Sequence, residues 1–168
     1  MTTDIRSATP ADMKTVRELC RDYRRLLIER AGDRGEAVDA YYPADTFDEF
    51  LETLETIHAA PRGKILVAPL HGEVVGCGML TTFQPGLAEM YRVFVDEKAR
   101  GHNLGRGLCE RLIEDARAMG HTSIRLETGR PLTEAISLYT SLGFAEVAPW
   151  DTVPPALDGI LTAFQMEL

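Results

Sequence analysis

The sequence predicts a single α/β domain of the α+β kind, in which a mixed, mostly antiparallel sheet carries helices on both faces. A chain of 168 residues with 45% hydrophobic content can build one ordinary core and is too short for two. Three apolar segments in residues 65–95 alternate at the period of strands and are joined by short turns. Helical periodicity occurs before and after them, so helices are available for both faces. We therefore expect residues 1–168 to form one domain.

The N-terminal region is predicted to contain a short strand and a long helix. Residues 5–8 are the strand candidate. Thr9 and Pro10 are typical of a helix start, because threonine caps free amides and proline suits the first helical position. Apolar residues recur from Val16 onward at spacings of three and four. This spacing predicts one buried helix face that ends at about Ile28.

A polar segment separates this helix from the next. Residues 32–43 are rich in turn-forming types, so we expect a linker. Its Tyr41 and Tyr42 either pack on the core or line a substrate pocket, and both alternatives stay open. Thr46 and Glu49 match a capping box, which predicts a second helix over roughly residues 46–58.

The central region is predicted to be an antiparallel meander. Its strands are expected at residues 65–68, 74–83 and 87–95, with turns at His71-Gly72 and Gln84-Pro85-Gly86. Gly76 and Gly78 interrupt the middle strand. Glycine inside a strand indicates a bulge or a closely approaching backbone.

The C-terminal region is predicted to alternate helices and strands. We expect a helix from residue 104 to Gly120, a strand at 123–128, a helix at 134–142, and strands at 144–147 and 160–167. Gly120 and Gly143 are placed to end the two helices, because glycine adopts the left-handed conformation at a helix C-terminus without a steric penalty.

A glycine-rich basic loop, Arg100-Gly101-His102-Asn103-Leu104-Gly105-Arg106-Gly107, joins the third meander strand to the following helix. A helix start leaves about four amides without partners and carries positive potential, which together bind anions. Glycine inside a helix costs about 1 kcal/mol relative to alanine, so helix stability does not explain three glycines here. The loop is predicted to bind a pyrophosphate; the alternative is an ordinary capped turn.

Composition excludes several classes of function. A net charge of −8 argues against a nucleic-acid partner, which requires clustered Lys and Arg in excess. The N-terminus has no signal-like apolar stretch and no 18-residue apolar run occurs, so we expect a cytoplasmic protein without a membrane partner. The cysteines, Cys20, Cys77 and Cys109, are expected to be reduced. The four histidines lack ligand spacing, so no metal site is predicted.

Two motifs resemble those of the Gcn5-related N-acetyltransferase family. The loop pattern (Q/R)-x-x-G-x-(G/A) corresponds to Arg100, Asn103 and Gly105, and residues 134–144 resemble the family's alanine-containing helix with a tyrosine followed by Leu-Gly-Phe. Asn103 replaces the central glycine, and Leu132 lies near the position where many members have an asparagine. Because Asn tolerates left-handed geometry, we expect the loop to form.

This resemblance implies acetyl-CoA as cofactor. It also implies transfer of an acetyl group directly to the primary amine of a small-molecule or amino-acid-like acceptor; a noncatalytic acyl-CoA sensor or regulatory domain is the alternative. The implied cofactor-binding residues are Val93, Phe94, Val95, Arg100, Gly101, His102, Asn103, Leu104, Gly105 and Arg106. Exposed sheet edges permit a homodimer.

The resemblance further implies two catalytic residues. Glu89 corresponds to a general base and Tyr139 to the proton donor for the departing thiolate. The strand period predicts residues 89, 91, 93 and 95 on one face. The alternatives are that Glu89 is an exposed carboxylate or a partner of Arg92 and that Tyr139 only packs in the core. Trp150 either walls the acceptor site or closes the sheet.

Overall fold

The computed structural model describes residues 4–168, which form a seven-stranded sheet in the order β1-β2-β3-β4-β5-β7-β6. The strands are β1 (Arg6–Ser7), β2 (Gly63–Leu70), β3 (Glu73–Gln84), β4 (Leu87–Val95), β5 (Ser123–Gly129), β6 (Ala145–Val147) and β7 (Leu161–Glu167). Neighbouring strands are antiparallel except β4 and β5, which are parallel. The predicted mixed, mostly antiparallel sheet is confirmed.

Helices cover both faces of the sheet, as predicted. They are α1 (Met13–Arg30), α2 (Gly35–Tyr41), α3 (Ala44–Leu51), α4 (Leu54–Ile57), α5 (Leu104–Ala118) and α6 (Thr133–Leu142). Buried residues of α1, α3 and α4 pack with Val67, Cys77 and Met79 of the sheet. Those of α5 pack on the opposite face, with residues such as Leu66 and Leu80. Alternate residues of one strand thus enter two separate cores.

The linker expected at residues 32–43 is largely helical, so that prediction was wrong. Gly32–Arg34 form a 3₁₀ turn and α2 follows directly. The polar composition of the segment gave no indication that Val38 would be buried, yet it packs with Leu27 and Leu157 in the core. Packing of Val38, with the partly buried Ala37 beside it, stabilises a helix that local propensity alone leaves marginal.

The second predicted helix is two helices, and its capping box does not form. Helix α3 begins at Ala44, with Pro43 as its N-cap, so Thr46 lies inside the first turn and donates to the Pro43 carbonyl at 3.1 Å. A break after Leu51 lets both Leu51 and Leu54 reach the core fully buried. Burial of these two leucines outweighs the continuity of the helix.

A bulge interrupts β4 opposite Gly78. Cys77 pairs with Phe94 and Met79 with Tyr91, so two residues of β4, Arg92 and Val93, oppose the single Gly78. Arg92 adopts the left-handed conformation, with φ of 49°. A Cβ at Gly78 would lie 3.0 Å from a Leu112 methyl, which explains the glycine as a close approach of α5. The irregularity predicted from Gly76 and Gly78 is confirmed.

The bulge changes which residues share a face of β4. Tyr91 packs with the core on the α1 side, whereas Val93 and Val95 pack with the core on the α5 side. The prediction that residues 89, 91, 93 and 95 lie on one face is therefore wrong. An extra residue in a strand reverses the alternation beyond it.

The parallel strands β4 and β5 separate just before the bulge. They pair only from Leu87 to Met90 on β4 and from Ser123 to Leu126 on β5. Farther along, β4 continues beside β3 and β5 continues beside β7. We call the resulting wedge, between residues 91–95 and residues 127–129, the β4–β5 split. It leaves two strand edges facing each other without ladder pairing in the described chain.

Candidate active site

The glycine-rich loop presents the open N-terminus of α5. Asn103 takes the left-handed conformation expected of it, with φ of 55° and no side-chain cap. The first amide of the helix with a backbone partner is that of Gly107, which donates to Asn103 at 3.0 Å. The preceding amides of Leu104, Gly105 and Arg106 have no acceptor within residues 4–168. These free donors and the helix dipole form an anion site.

The two loop arginines are engaged by neighbouring side chains. Arg100 pairs with Glu97 at 3.1 Å. Arg106 donates to Ser141 Oγ at 2.6 Å and lies 3.6 Å from Glu110. The anion site is consequently made mainly of main chain, with positive charge at its edge.

A groove beside the loop brings several predicted residues together. Phe94, Val95 and Arg100 line a cleft of about 280 Å³ against the C-terminal half of α1. The end of β4 and the start of the loop therefore share one surface. A Cβ at Gly105 would make ordinary contacts there, 3.7 Å from Leu138 and 4.0 Å from Val95.

A larger cleft, of about 430 Å³, opens at the β4–β5 split. We call it the acceptor cleft. Its aromatic lining comes from α1, the α2–α3 region and β4, and includes Tyr23, Tyr41, Tyr42, Phe47, Phe50 and Tyr91. Tyr41 and Tyr42 meet edge to face with ring centroids 4.6 Å apart. Both tyrosines line the cleft and Tyr42 also packs on the core, so both alternatives are observed for Tyr42.

Glu89 lies at the base of this cleft in a buried ion pair. Arg125 Nε lies 2.6 Å from Glu89 Oε1, and each residue is only 7% exposed. The two are cross-strand neighbours on β4 and β5. Glu89 is thus neither an exposed carboxylate nor the partner of Arg92. Its partner is Arg125.

Two aromatic rings enclose Arg125. The guanidinium lies 3.8 Å from the ring centroid of Phe83 and 3.9 Å from that of Trp150. Trp150 therefore covers the Glu89–Arg125 pair rather than forming part of the lining of the acceptor cleft. Such stacking fixes the guanidinium plane and excludes water from the pair.

A second carboxylate, Glu127, enters the cleft from β5 beyond the point where the strands separate. Partial desolvation, together with the negative charges of Glu89 and Asp151, raises the pKa of Glu127. Sequence reasoning missed this residue. The sequence did contain a signal for it. Ile124 and Leu126 are apolar and alternate along the strand, which places Arg125 and Glu127 together on the opposite face.

Tyr139 lies on α6 in an aromatic cluster. It is 6% exposed, and its ring centroid lies 5.9 Å from Phe144 and 6.4 Å from Phe164. Burial raises the pKa of its hydroxyl well above the ordinary value, and Cys109 and Tyr23 act in the same direction. The phenol therefore stays protonated throughout the physiological range.

Other residues singled out in the sequence do not join the site. Leu132, near the expected asparagine position, is buried beside Leu157 and is the N-cap residue of α6, but its side chain makes no capping hydrogen bond. The three cysteines are free and buried. In residues 4–168, no cluster of three His, Cys, Asp or Glu side chains could hold a metal ion, and no helix is long and apolar enough to cross a membrane.

The geometry combines an anion site, a separated pair of parallel strands and a cleft with two carboxylates. Residues 19–144 match the sequence model of the Acetyltransferase (GNAT) family. The chain belongs to this family. The resemblance inferred from the loop and from the tyrosine helix is confirmed, and acetyl transfer is the general chemistry of this enzyme.

Similar proteins agree with this assignment. This acetyltransferase is 39% identical over 125 residues to an IAA acetyltransferase of Azospirillum brasilense, covering 71% of the chain and 80% of the relative. A GNAT family acetyltransferase from Staphylococcus aureus superposes with a TM-score of 0.73 at 17% identity, covering 99% of each chain. A PaiA N-acetyltransferase from Thermoplasma acidophilum in complex with coenzyme A superposes with a TM-score of 0.71 at 15% sequence identity, covering all of both chains. The two structures show the shared fold.

Proposed function

We propose that this acetyltransferase moves the acetyl group of acetyl-CoA directly to the primary amine of a small-molecule or amino-acid-like acceptor. The observation that carries the proposal is the β4–β5 split, which has the acceptor cleft at one end and the free amides of α5 near the other. A thioester with a pyrophosphate and an amine can therefore meet between them. The coenzyme A complex of the Thermoplasma acidophilum protein supports the choice of cofactor.

The residues around the split fit such a cofactor. The amides of Leu104, Gly105 and Arg106 would bind the pyrophosphate, with Arg100, Gly101, His102 and Asn103 shaping the loop around it. Main-chain groups of Val93 to Val95 would hold the pantetheine arm along the unpaired edge of β4, in the manner of an added strand. Phe94 would pack beside it.

The two carboxylates of the cleft, Glu127 and Glu89, have different roles in the proposed reaction. We assign the role of general base to Glu127, because its carboxylate lines the cleft and forms no ion pair within residues 4–168. The raised pKa of Glu127 also makes it a somewhat stronger base than an ordinary glutamate. Glu89 is held by Arg125, and its negative charge contributes to the raised pKa of Glu127. Glu89 acting as the base, directly or through a water molecule, is the competing assignment.

The remaining steps follow from where charge develops. The deprotonated nitrogen attacks the acetyl carbonyl carbon, and a main-chain amide near Val93 would stabilise the oxygen as it becomes negative. The carbon–sulfur bond then breaks, and its electron pair leaves on sulfur. The attacking nitrogen, which is positively charged after attack, releases its second proton to solvent as that bond breaks. Tyr139, which stays protonated in the resting enzyme, would supply the proton to the thiolate and regain one from solvent before the next turnover.

Turnover on amines tests the proposed function against a noncatalytic sensor. The protein would be incubated with acetyl-CoA and a panel of primary amines while free thiol is measured. Thiol release that depends on the amine, with acetylated product identified by mass, is expected. Tight acetyl-CoA binding without turnover on any amine would instead favour a sensor.

Tyr139→Phe is expected to lower kcat about tenfold with no change in acetyl-CoA affinity. The effect is modest because a thiolate, with an ordinary pKa of about 8.5, leaves without complete protonation. Phenylalanine also keeps the contacts with Phe144 and Phe164, so the thermal midpoint should stay the same. Unchanged kcat would remove the acid role and leave Tyr139 as a packing residue.

Gly105→Val is expected to raise the Kd for acetyl-CoA at least about tenfold, which corresponds to about 1.4 kcal/mol. The branched side chain obstructs the anion site, whereas the single Cβ of Gly105→Ala fits in ordinary contact with Leu138 and Val95. The alanine variant is therefore the matched control and should bind nearly as well as wild type. Calorimetric titration measures all three proteins. Equal affinities for the valine variant and wild type would place the pyrophosphate elsewhere.

A further inference from the structure

Arg92 occupies an unusual position in the acceptor cleft. Its left-handed backbone at the bulge directs the side chain to the α1 side of the sheet, where the guanidinium lies 4.5 Å from the ring centroid of Phe50 and 5.3 Å from that of Tyr91. Its Nη1 lies 3.9 Å from Met79 Sδ. The residue lines the cleft itself. A cation is therefore held against aromatic rings with one side open to a ligand.

The charge of Arg92 is not neutralised by the protein. The other two arginines near the cleft have carboxylate partners, Asp39 for Arg24 and Glu89 for Arg125. No carboxylate forms an ion pair with Arg92 in the part of the chain that the structure describes. Burial lowers the pKa of Arg92, and the ionisable groups that oppose this lowering are thiols and phenols. Arginine nevertheless remains protonated at physiological pH.

A half-buried cation of this kind has lost water without gaining a counter-ion. Its interactions with Phe50 and Tyr91 replace part of the lost hydration, but they leave its planar donor groups available for a carboxylate. A ligand anion would restore the missing partner. The site is thus incomplete without an acidic group.

We propose that Arg92 binds a carboxylate of the acceptor, so that the acceptor is an amine bearing a carboxylate together with an aromatic or apolar body. The proposal rests on the proposed function, since it names the substrate class of that same cleft. Opposite charges would orient such a molecule, with its carboxylate at Arg92 and its amine toward Glu127. The apolar body would lie against rings such as Tyr42 and Phe47.

This assignment differs from what net charge alone favours. A charge of −8 over the whole chain is compatible with a polycationic acceptor. Within the cleft, however, a second ammonium near Arg92 would be repelled at short range. Local charge decides recognition inside a cleft, because exposed charges beyond a Debye length of about 8 Å are screened.

Matched pairs of acceptors test the proposal. Phenylalanine and phenylalaninamide differ in the carboxylate, as do leucine and leucinamide, and kcat/KM for each is obtained from thiol release. Wild type should prefer the acids at least about tenfold, since a polar partner left unpaired in a site rejects the analogue that lacks the matching group. Arg92→Gln should reduce kcat/KM for the acids and leave the amides nearly unaffected. Arg92→Lys should retain part of the preference.

A matched control removes the same charge outside the cleft. Arg21 also lies on the α1 side of the sheet and pairs with Asp48 at 2.7 Å. Arg21→Gln should keep the acid-to-amide ratio of wild type. Comparing ratios between variants cancels the different basicities of an amino acid and its amide. Circular dichroism melts confirm that each variant is folded.

The outcomes separate this proposal from the proposed function. Equal use of acids and amides by wild type, or an acid preference that persists in Arg92→Gln, overturns the carboxylate site. If no amine is acetylated, the proposed function fails, and calorimetric titration of phenylalanine into the coenzyme A complex tests Arg92 separately. Binding lost in Arg92→Gln and kept in Arg21→Gln supports the carboxylate site, whereas binding unaffected by either substitution, or no binding to wild type, overturns it.

Discussion

Replacing Glu127 by glutamine is expected to lower kcat about 100-fold or more while leaving acetyl-CoA affinity unchanged. A general base contributes about 10² to 10⁴ to the rate, and glutamine keeps the shape of the side chain without its basicity. Glu127 lines the acceptor cleft at the β4–β5 split, away from the amides of α5 that would bind the pyrophosphate. Steady-state measurements of kcat and calorimetric Kd values for acetyl-CoA distinguish a loss of rate from a loss of cofactor binding.

The pH dependence of the reaction follows from the raised pKa of Glu127. The base works only when ionised, so wild-type kcat should fall as the pH drops through a pKa above the ordinary 4.5. Residual activity of Glu127→Gln should lack this limb of the profile. A variant whose profile still falls at the same pH would assign the titration to another group.

The raised pKa of Glu127 also affects stability, because the ionised form that catalysis requires is the form that opposes folding. The folded-state pKa of Glu127 exceeds its unfolded value, so the ionised carboxylate slightly opposes folding above the unfolded pKa. This penalty disappears as the pH falls through the folded pKa. Glu127→Gln should therefore be no less stable than wild type at pH 7, and a lost activity would not reflect unfolding.

Glu89→Gln is the informative comparison for the assignment of the base. If Glu127 is the base, Glu89→Gln lowers kcat mainly by perturbing Arg125 and by lowering the pKa of Glu127, so the profile shifts to lower pH. If Glu89 is the base, Glu89→Gln abolishes the fall of kcat at low pH, whereas Glu127→Gln retains that fall. The two profiles thus identify which carboxylate takes the proton.

Arg125→Met is expected to reduce the free energy of unfolding by about 3–5 kcal/mol. The substitution leaves Glu89 buried without its partner at 2.6 Å, and an uncompensated buried charge is costly. Since a domain of this kind is stable by only about 5–15 kcal/mol, the variant should be marginal at 37 °C. Urea unfolding at pH 7 measures the loss.

The double variant Glu89→Gln with Arg125→Met is the matched control. It removes both charges, and neutral replacement of a buried ion pair is often tolerated. Most of the stability lost in Arg125→Met should return, while activity should not. A loss below about 1 kcal/mol in the single variant would show that buried Glu89 does not depend on Arg125 for its stability.

Much of the fold could be predicted from local signals. Gly120 and Gly143 adopt positive φ at the ends of α5 and α6, as their positions implied. The meander was predictable because its turns are short and its strands alternate. The two-helix α3–α4 segment was not, since its break depends on bringing Leu51 and Leu54 into a core formed by distant strands.

The cofactor side of the candidate site was more predictable than the acceptor side. The loop from Arg100 to Arg106 is contiguous, so its residue types reveal its geometry directly. The acceptor cleft instead collects side chains from α1, α3, β4 and β5. Glu89 and Arg125 are 36 residues apart, and only the pairing of β4 with β5 brings them together.

The sequence by itself determined the family, the strand–loop–helix anion site and the left-handed position of Asn103, because each depends on steric and hydrogen-bonding preferences of neighbouring residues. The tertiary structure decided which carboxylate is paired, which one is open to the cleft, and where Arg92 points. Its bulge reverses the alternation of β4, and no local preference fixes a register between strands. The lining of the acceptor cleft is therefore specified by long-range packing around the β4–β5 split.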